Sequence, residues 1–194
     1  MTNGSLDRRA VAAALLNDRG ELLVVTGLGS ASYDLFAAGD HDHNYYLWAA
    51  MGSAVTVGFG LAMAQRKRPV LVLTGDGEML MGIGALASIA QKLPPNLTIA
   101  VLDNGLYGET GMQKSHTGRG LELARVAEAC NFPHTAVIPD MAGVAVLRER
   151  IHAMGGTTLA TIKIKADELP RALPPRDGVF VKNRFRAALG FKTI

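Results

Sequence analysis

The chain has 194 residues, of which 48% are apolar, 6% aromatic and 19% charged, a composition that suits one globular domain with a real core and excludes disordered or collagen-like classes. Its single cysteine, Cys130, excludes a disulfide framework and any cysteine-ligated zinc or iron–sulfur site built from this chain alone. The net charge of +3 is uneven: residues 163–194 carry eight Lys or Arg against three acids, with only Phe180, Phe185 and Phe191 beside them, too few aromatics for a nucleic-acid surface.

Asp7 to Asn17 reads as an amphipathic helix closed by an Asp-Arg-Gly turn, and the charges leading into it argue against a secretory signal. A cytoplasmic protein is therefore expected. Leu22 to Thr26 is a short buried strand that runs into Gly27-Leu28-Gly29-Ser30. A second helix is expected over Ser32 to Ala38, followed by the polar stretch Gly39 to Asn44. Leu47 to Ala64 runs eighteen residues without a charge, the lower limit for a bilayer span. Gly52, Ser53, Thr56, Gly58 and Gly60 make it small and weakly hydrophobic, so no membrane insertion is expected; Ser53 to Gln65 is read as a tightly packed helix.

Val70 to Thr74 is an apolar strand ending in Gly75-Asp76-Gly77-Glu78, followed by one helix from about Met79 to Gln91. A Pro94-Pro95-Asn96 turn and the strand Leu97 to Leu102 complete the unit. The Gly-rich loop Asp103 to Gly118 leads to helix Leu121–Cys130, strand Thr135–Ile138, helix Ala142–Ala153 and strand Thr157–Lys163. Apolar strands alternating with helices predict an α/β fold, a doubly wound parallel sheet with helices on both faces. One domain over residues 1–168 is expected, with 169–194 as an extended basic tail that contacts another subunit.

In such folds ligands bind beyond the carboxyl ends of the strands, where the polar segments after Thr26, Thr74 and Leu102 all fall. Asp76 and Asn104 lie 28 positions apart, about one βαβ crossover, so they can end at neighbouring strand ends. A carboxylate and an amide oxygen there suit Mg²⁺, and the glycines flanking Asp76 let backbone N–H groups reach a phosphate at a helix start. Either pair alone reads equally as an ordinary turn.

Gly75-Asp76-Gly77-Glu78, the helix through Ala90, Leu93-Pro94 and Leu102-Asp103-Asn104-Gly105-Leu106-Tyr107-Gly108 together resemble the thiamine diphosphate binding motif, with Asp103 replacing the first Asn of the usual pair. The resemblance runs from about Thr26 to Lys163. It implies that Asp76, Asn104 and the Leu106 carbonyl bind Mg²⁺, and that Gly77 and Glu78 contact diphosphate through their backbone. Gly75, Tyr107 and Gly108 belong to the same cofactor-binding segments. Trp48-Ala49-Ala50-Met51-Gly52 resembles the segment that cradles the cofactor rings, with the Ala49 carbonyl on the 4′-amino group and Met51 as the apolar wedge. Gly27 and Ser30 fall in what resembles the first diphosphate loop; the same residues also read as an imperfect dinucleotide fingerprint with Ser32 in place of the third Gly.

Within that family the run Thr26–Gly118 is most similar to the β-type subunit of sulfopyruvate decarboxylase and to phosphonopyruvate decarboxylase, although Met112 stands where those have a second Gly. The resemblance implies decarboxylation of a small 2-oxoacid with release of CO₂ and an aldehyde. Glu109, directly after the metal loop, and His116 are the candidate catalytic residues; His41, His43 and His116 also read as exposed loop histidines. Family members need a pyrimidine-type domain whose Glu activates the cofactor, and Glu78 and Glu109 lie in the diphosphate half. A separate partner subunit in a hetero-oligomer is therefore expected. The alternatives are a carboligase or acetolactate-type synthase subunit, a ferredoxin-coupled oxidoreductase disfavoured by the missing cysteines, a nicotinamide-binding domain using Gly27 to Ser32, and a non-catalytic assembly subunit.

Overall fold

The computed structural model describes residues 4–48 and 51–193. In chain order the elements are α1 (Arg8–Leu16), β1 (Leu23–Thr26), α2 (Ser30–Ala37), β2 (Asn44–Tyr46), α3 (Ala54–Ala64), β3 (Val70–Gly75), α4 (Asp76–Met81), α5 (Ala85–Ala90) and β4 (Leu97–Asp103). A small hairpin, β5 (Leu106–Tyr107) and β6 (Gln113–Lys114), follows, then α6 (Leu123–Ala129), β7 (His134–Ile138), α7 (Met141–Ala153), β8 (Thr158–Lys163) and α8 (Gly178–Ala188). Six strands form one sheet in the order β2-β1-β3-β4-β8-β7, and every pairing is parallel.

Alternation along the strands divides the core between two faces, because successive side chains in a strand point to opposite sides. Leu71, Leu73, Ala100, Leu102, Ala160 and Ile162 pack with α1, α2 and α7 on one face. Val70, Val72, Leu97, Ile99, Val101 and Leu159 pack with α3, α5, α6 and α8 on the other. The expected doubly wound sheet is thus the observed one. The strand order reverses between β1 and β3, which opens a crevice at their carboxyl ends.

Three expectations need correction. The single helix over Met79–Gln91 is two short helices, α4 and α5, because Gly82 and Gly84 interrupt the run. Asn44, read as the end of the polar stretch Gly39 to Asn44, instead begins the edge strand β2, which the sequence did not suggest and which is held in register by β1. The helix expected over Ser53 to Gln65 is present as α3, with Ser53 and Gln65 at its cap positions, and no helix among the described residues is long and apolar enough to cross a membrane. The basic segment 169–194 is not an extended tail: α8 is capped by Asp177, whose side chain accepts from Val179 and Phe180, and it buries Val181 and Phe185. Trp48 Nε1 donates to the Pro175 carbonyl at 2.7 Å, and Arg184 pairs with Asp40 at 2.6 Å, so this segment is packed on the domain and its charge is partly matched.

Candidate functional site

One cavity at the carboxyl ends of β1, β3 and β4 gathers Ser30, Met51, Gly75, Asp76, Gly77, Glu78, Asn104, Leu106, Tyr107, Gly108 and Glu109. Leu28, Ala31 and Arg8 complete much of the wall. The strands bring these segments together: Thr26 pairs with Leu73 and Gly75 with Leu102, so the three following loops leave the sheet side by side. Two helices start at the cavity, α2 after Gly29 and α4 after Gly75, and neither has a side-chain cap on its first N–H groups. Uncapped helix starts present N–H donors and a partial positive charge to an anion.

Asp76 is 2% exposed. Its Oδ2 accepts from Ser115 Oγ at 2.5 Å and lies 2.8 Å from Thr117 Oγ1, which is also 2.7 Å from Asp103 Oδ1. A hydroxyl has one hydrogen, so Thr117 can donate to only one of the two carboxylates. Asp103 is balanced by its ion pair with Lys163, its register partner on β8. Asp76 has no cationic partner among the described residues, and burial raises its pKa above the ordinary carboxylate value, opposed by the Ser115 and Thr117 hydroxyls. A buried carboxylate without a counter-charge fits a bound cation.

Asn104 folds its side chain back so that Oδ1 accepts from the Leu106 N–H at 2.9 Å, an Asx turn that fixes the approach of the Leu106 peptide. No group of three or more His, Cys, Asp or Glu gathers around a metal position among the described residues. The available donor set is instead the Asp76 carboxylate with amide and carbonyl oxygens of Asn104 and Leu106, the hard ligands that Mg²⁺ takes. Asp40, His41, Asp42 and His43 do not form a metal cluster: Asp40 is held by Arg184 and the Tyr46 hydroxyl, and the His43 N–H donates to His41 Nδ1.

Glu78 carries its side chain away from the anion-binding end. It is 8% exposed, and Oε2 accepts from Thr74 Oγ1 at 2.7 Å. Burial raises its pKa, opposed by Thr74 and by the backbone N–H groups of Gly52 and Ala54. The Glu78 carboxylate therefore links the end of β3 to the start of α3. It also explains Gly27, where a Cβ would lie 1.8 Å from Glu78 Oε1. Gly27 accordingly packs beneath Glu78 and is not part of the cavity wall. Gly77 has a comparable reason: a Cβ there would meet the Tyr107 ring at 2.7 Å.

Glu109 sits at the cavity rim between the Ser30 hydroxyl, 3.3 Å from Oε1, and Arg171, 3.2 Å from Oε2. His116 is exposed and outside the cavity lining, touching it only through the Tyr107 hydroxyl, 3.4 Å from Nδ1. His41 and His43 are also outside that lining. Ala49 lies outside the described residues. The sequence reading missed Ser115 and Thr117, whose signal was two hydroxyl residues at alternate positions in the loop. It also missed Arg8 and Asp34, whose signal was charge on otherwise apolar helix faces.

Residues 10–170 match the family "Thiamine pyrophosphate enzyme, C-terminal TPP binding domain". Sulfopyruvate decarboxylase of Methanosarcina acetivorans is 31% identical over 99% of the chain and 50% of its own length. Phosphonopyruvate decarboxylase of Streptomyces viridochromogenes is 35% identical over 84% of the chain and 41% of its own length. Sulfopyruvate decarboxylase subunit beta of Methanothermobacter thermautotrophicus is 36% identical over 74% of each chain. The chain thus spans about half the length of the first two of these relatives. Among solved structures, benzoylformate decarboxylase from Polynucleobacter necessarius shares the fold with a TM-score of 0.71 at 19% identity, covering 85% of this chain and 34% of that one.

Proposed function

The chain belongs to the thiamine pyrophosphate enzymes through its C-terminal-type TPP-binding domain, and from that premise we propose that it is the diphosphate- and Mg²⁺-binding subunit of a two-subunit 2-oxoacid decarboxylase acting on a sulfopyruvate- or phosphonopyruvate-like substrate. The observation that carries this reading is the single cavity where the uncapped starts of α2 and α4 meet the unbalanced Asp76 carboxylate beside Asn104 and Leu106. Those features fit an anionic diphosphate on one side and its cation on the other.

In this reading Asp76, Asn104 and the Leu106 carbonyl hold Mg²⁺, and the backbone at Gly75–Glu78 with Ser30 binds the diphosphate. The Ser115 and Thr117 hydroxyls fix the Asp76 carboxylate in the geometry the cation needs. Met51, 46% exposed at the cavity, is the apolar support for the cofactor rings. The cofactor, when bound, supplies the electron sink for loss of CO₂. Glu109 is the rim acid placed to hold or move a proton over the cavity, and His116 reaches the site only through Tyr107.

The activating Glu comes from a pyrimidine-type domain of a partner subunit. Glu78 is committed to Thr74 and Glu109 to Ser30 and Arg171, so neither cavity glutamate is free for that role. Exposed Met51 and Met81, at 46% and 53%, give the cavity mouth an apolar face for that partner. The relatives named as beta subunits support the same arrangement.

The direct test is to supply the chain, its co-purifying partner, Mg²⁺ and thiamine diphosphate with sulfopyruvate or phosphonopyruvate and to follow CO₂ and aldehyde. Equimolar CO₂ and aldehyde, with none from either subunit alone, is the expected result. A hydroxyketone product would make the protein a carboligase subunit, and full activity of the partner alone would make this chain an assembly subunit.

A further inference from the structure

One cationic side chain of the cavity has no role in the account above. Arg8 is the first residue of α1, and the bridge between Leu6 and Ile164 sets that helix start at the carboxyl end of β8. Its side chain is 9% exposed, yet it lines the same cavity as Gly75, Asp76 and Asn104. Arg8 Nε lies 3.3 Å from Asp34 Oδ2, and Arg9 Nε lies 3.5 Å from Asp34 Oδ1; Arg9 also donates to the Pro170 carbonyl. Two guanidinium groups thus share one fully buried carboxylate, which leaves an excess positive charge where water screens it poorly.

The Asp34 contact occupies only the Nε edge of Arg8. Its two terminal nitrogens have no acceptor on the protein among the described residues. A guanidinium whose Nε edge faces the Asp34 carboxylate at ion-pair distance, with its outer N–H groups unspent, is placed to take an oxygen of a phosphate-type anion. The uncapped start of α2 faces the same cavity and adds backbone N–H donors, while the Ser30 hydroxyl is engaged by Glu109. The cavity therefore carries charge of both signs, with Arg8 and the α2 N–H groups as donors and Asp76 as an unbalanced acceptor, while Glu109 at the rim is paired with Arg171. That polarity matches a cation–diphosphate pair.

We propose that Arg8 is a cofactor-binding residue that takes the outer phosphoryl group of the diphosphate, and that Asp34 is the positioning residue that holds its guanidinium there. The proposal rests on the cavity being the thiamine diphosphate site, and it adds a contact outside residues 10–170 that the family match covers.

The test is calorimetric titration of the full chain, with its co-purifying partner and Mg²⁺, using thiamine diphosphate, thiamine monophosphate and inorganic pyrophosphate. Because Arg8→Met leaves the buried Asp34 with only the longer Arg9 contact, the substitution is also made in an Asp34→Asn background, with thermal unfolding to verify the fold. Losing a charge-assisted hydrogen bond should weaken diphosphate and pyrophosphate binding about ten- to a hundredfold. Monophosphate affinity should stay unchanged, so the preference for diphosphate over monophosphate collapses, while Asp34→Asn alone, with Arg8 present but no longer held, loses part of it; an Asp34→Asn variant with the full wild-type preference overturns the positioning role. A folded double variant that retains the preference within about twofold overturns the proposal. A parallel titration with sulfopyruvate in which the loss is confined to that ligand also overturns it, and would assign Arg8 to the substrate. Wild-type protein that does not bind thiamine diphosphate would instead overturn the functional reading beneath it.

Discussion

Asp103 and Lys163 show how a single residue's charge is accommodated at the sheet end. Asp103 replaces the first Asn of the usual motif pair and is 3% exposed; Lys163, at the paired position of β8, supplies the cation that its burial requires. Asp34 is the other buried acid with cationic neighbours, and here burial wins: its pKa is pushed up to about 6 despite Arg8 and Arg9. The folded chain therefore holds this proton to higher pH than the unfolded chain, where the group titrates near 3.8. The resulting stabilisation is full below that unfolded value and is lost as pH rises through 6, a fall of about 3 kcal/mol at most. Urea unfolding of the protein and of Asp34→Asn should show their stability difference drifting by that order between pH 4 and pH 7; a flat difference would contradict the assignment. At this scale the strand-end residues Asp76, Asn104, Leu106 and Tyr107 were legible because short motifs mark loop positions. Ser115, Thr117 and the Arg8–Asp34 pair were not, since the contacts to Asp76 and Asp34 join residues 26 to 41 positions apart and leave no local pattern.

The helix α3 illustrates how elements depend on distant caps. Its run of Ala, Val, Gly, Phe and Leu has no polar face, so its ends must be satisfied from elsewhere. Glu78 serves its start, and Asn96 serves its end: Asn96 Nδ2 lies within 3.2 Å of the carbonyls of Ala62, Gln65 and Arg68. Asn96 reads in the sequence as part of a Pro-Pro-Asn turn, which conceals this role. Asn96→Ala should cost about 2 kcal/mol by leaving buried carbonyls unpaired, seen as a lower urea midpoint with an unchanged slope; a loss below about 0.5 kcal/mol would show that water replaces the amide. The helix α8 was hidden differently. Val181 and Phe185 have helical spacing and Asp177 is a good N-cap residue, but the surrounding arginines and lysines read as a solvated tail. Truncation after Lys165 is accordingly a poor test of subunit contact, since it would remove Phe185 from the core and the Pro175 acceptor from Trp48. The strand β2 was illegible because three residues after a polar loop carry no periodicity, and it exists through its pairing with β1.

For the whole molecule, topology decides where chemistry can occur. The sheet order places the chain reversal between β1 and β3, and the loops that follow them form the cavity together with the loop after β4. Alternating apolar strands and helices made that architecture readable, since each βαβ unit must bury both faces of its strand. What the sequence could not convey is the polarity of the cavity, positive at Arg8 and α2 and negative at Asp76, because it arises from segments far apart in the chain. A cavity of that polarity should bind thiamine diphosphate only with its cation. The measurement that tests this most directly is calorimetric titration of the chain, with its co-purifying partner, with thiamine diphosphate in Mg²⁺ and again after EDTA, for the wild type and for Asp76→Asn. Saturable binding is expected in Mg²⁺, weakening at least about a hundredfold after EDTA and equally in Asp76→Asn. Equal affinity with and without Mg²⁺, or an Asp76→Asn variant that binds as the wild type does, would contradict it.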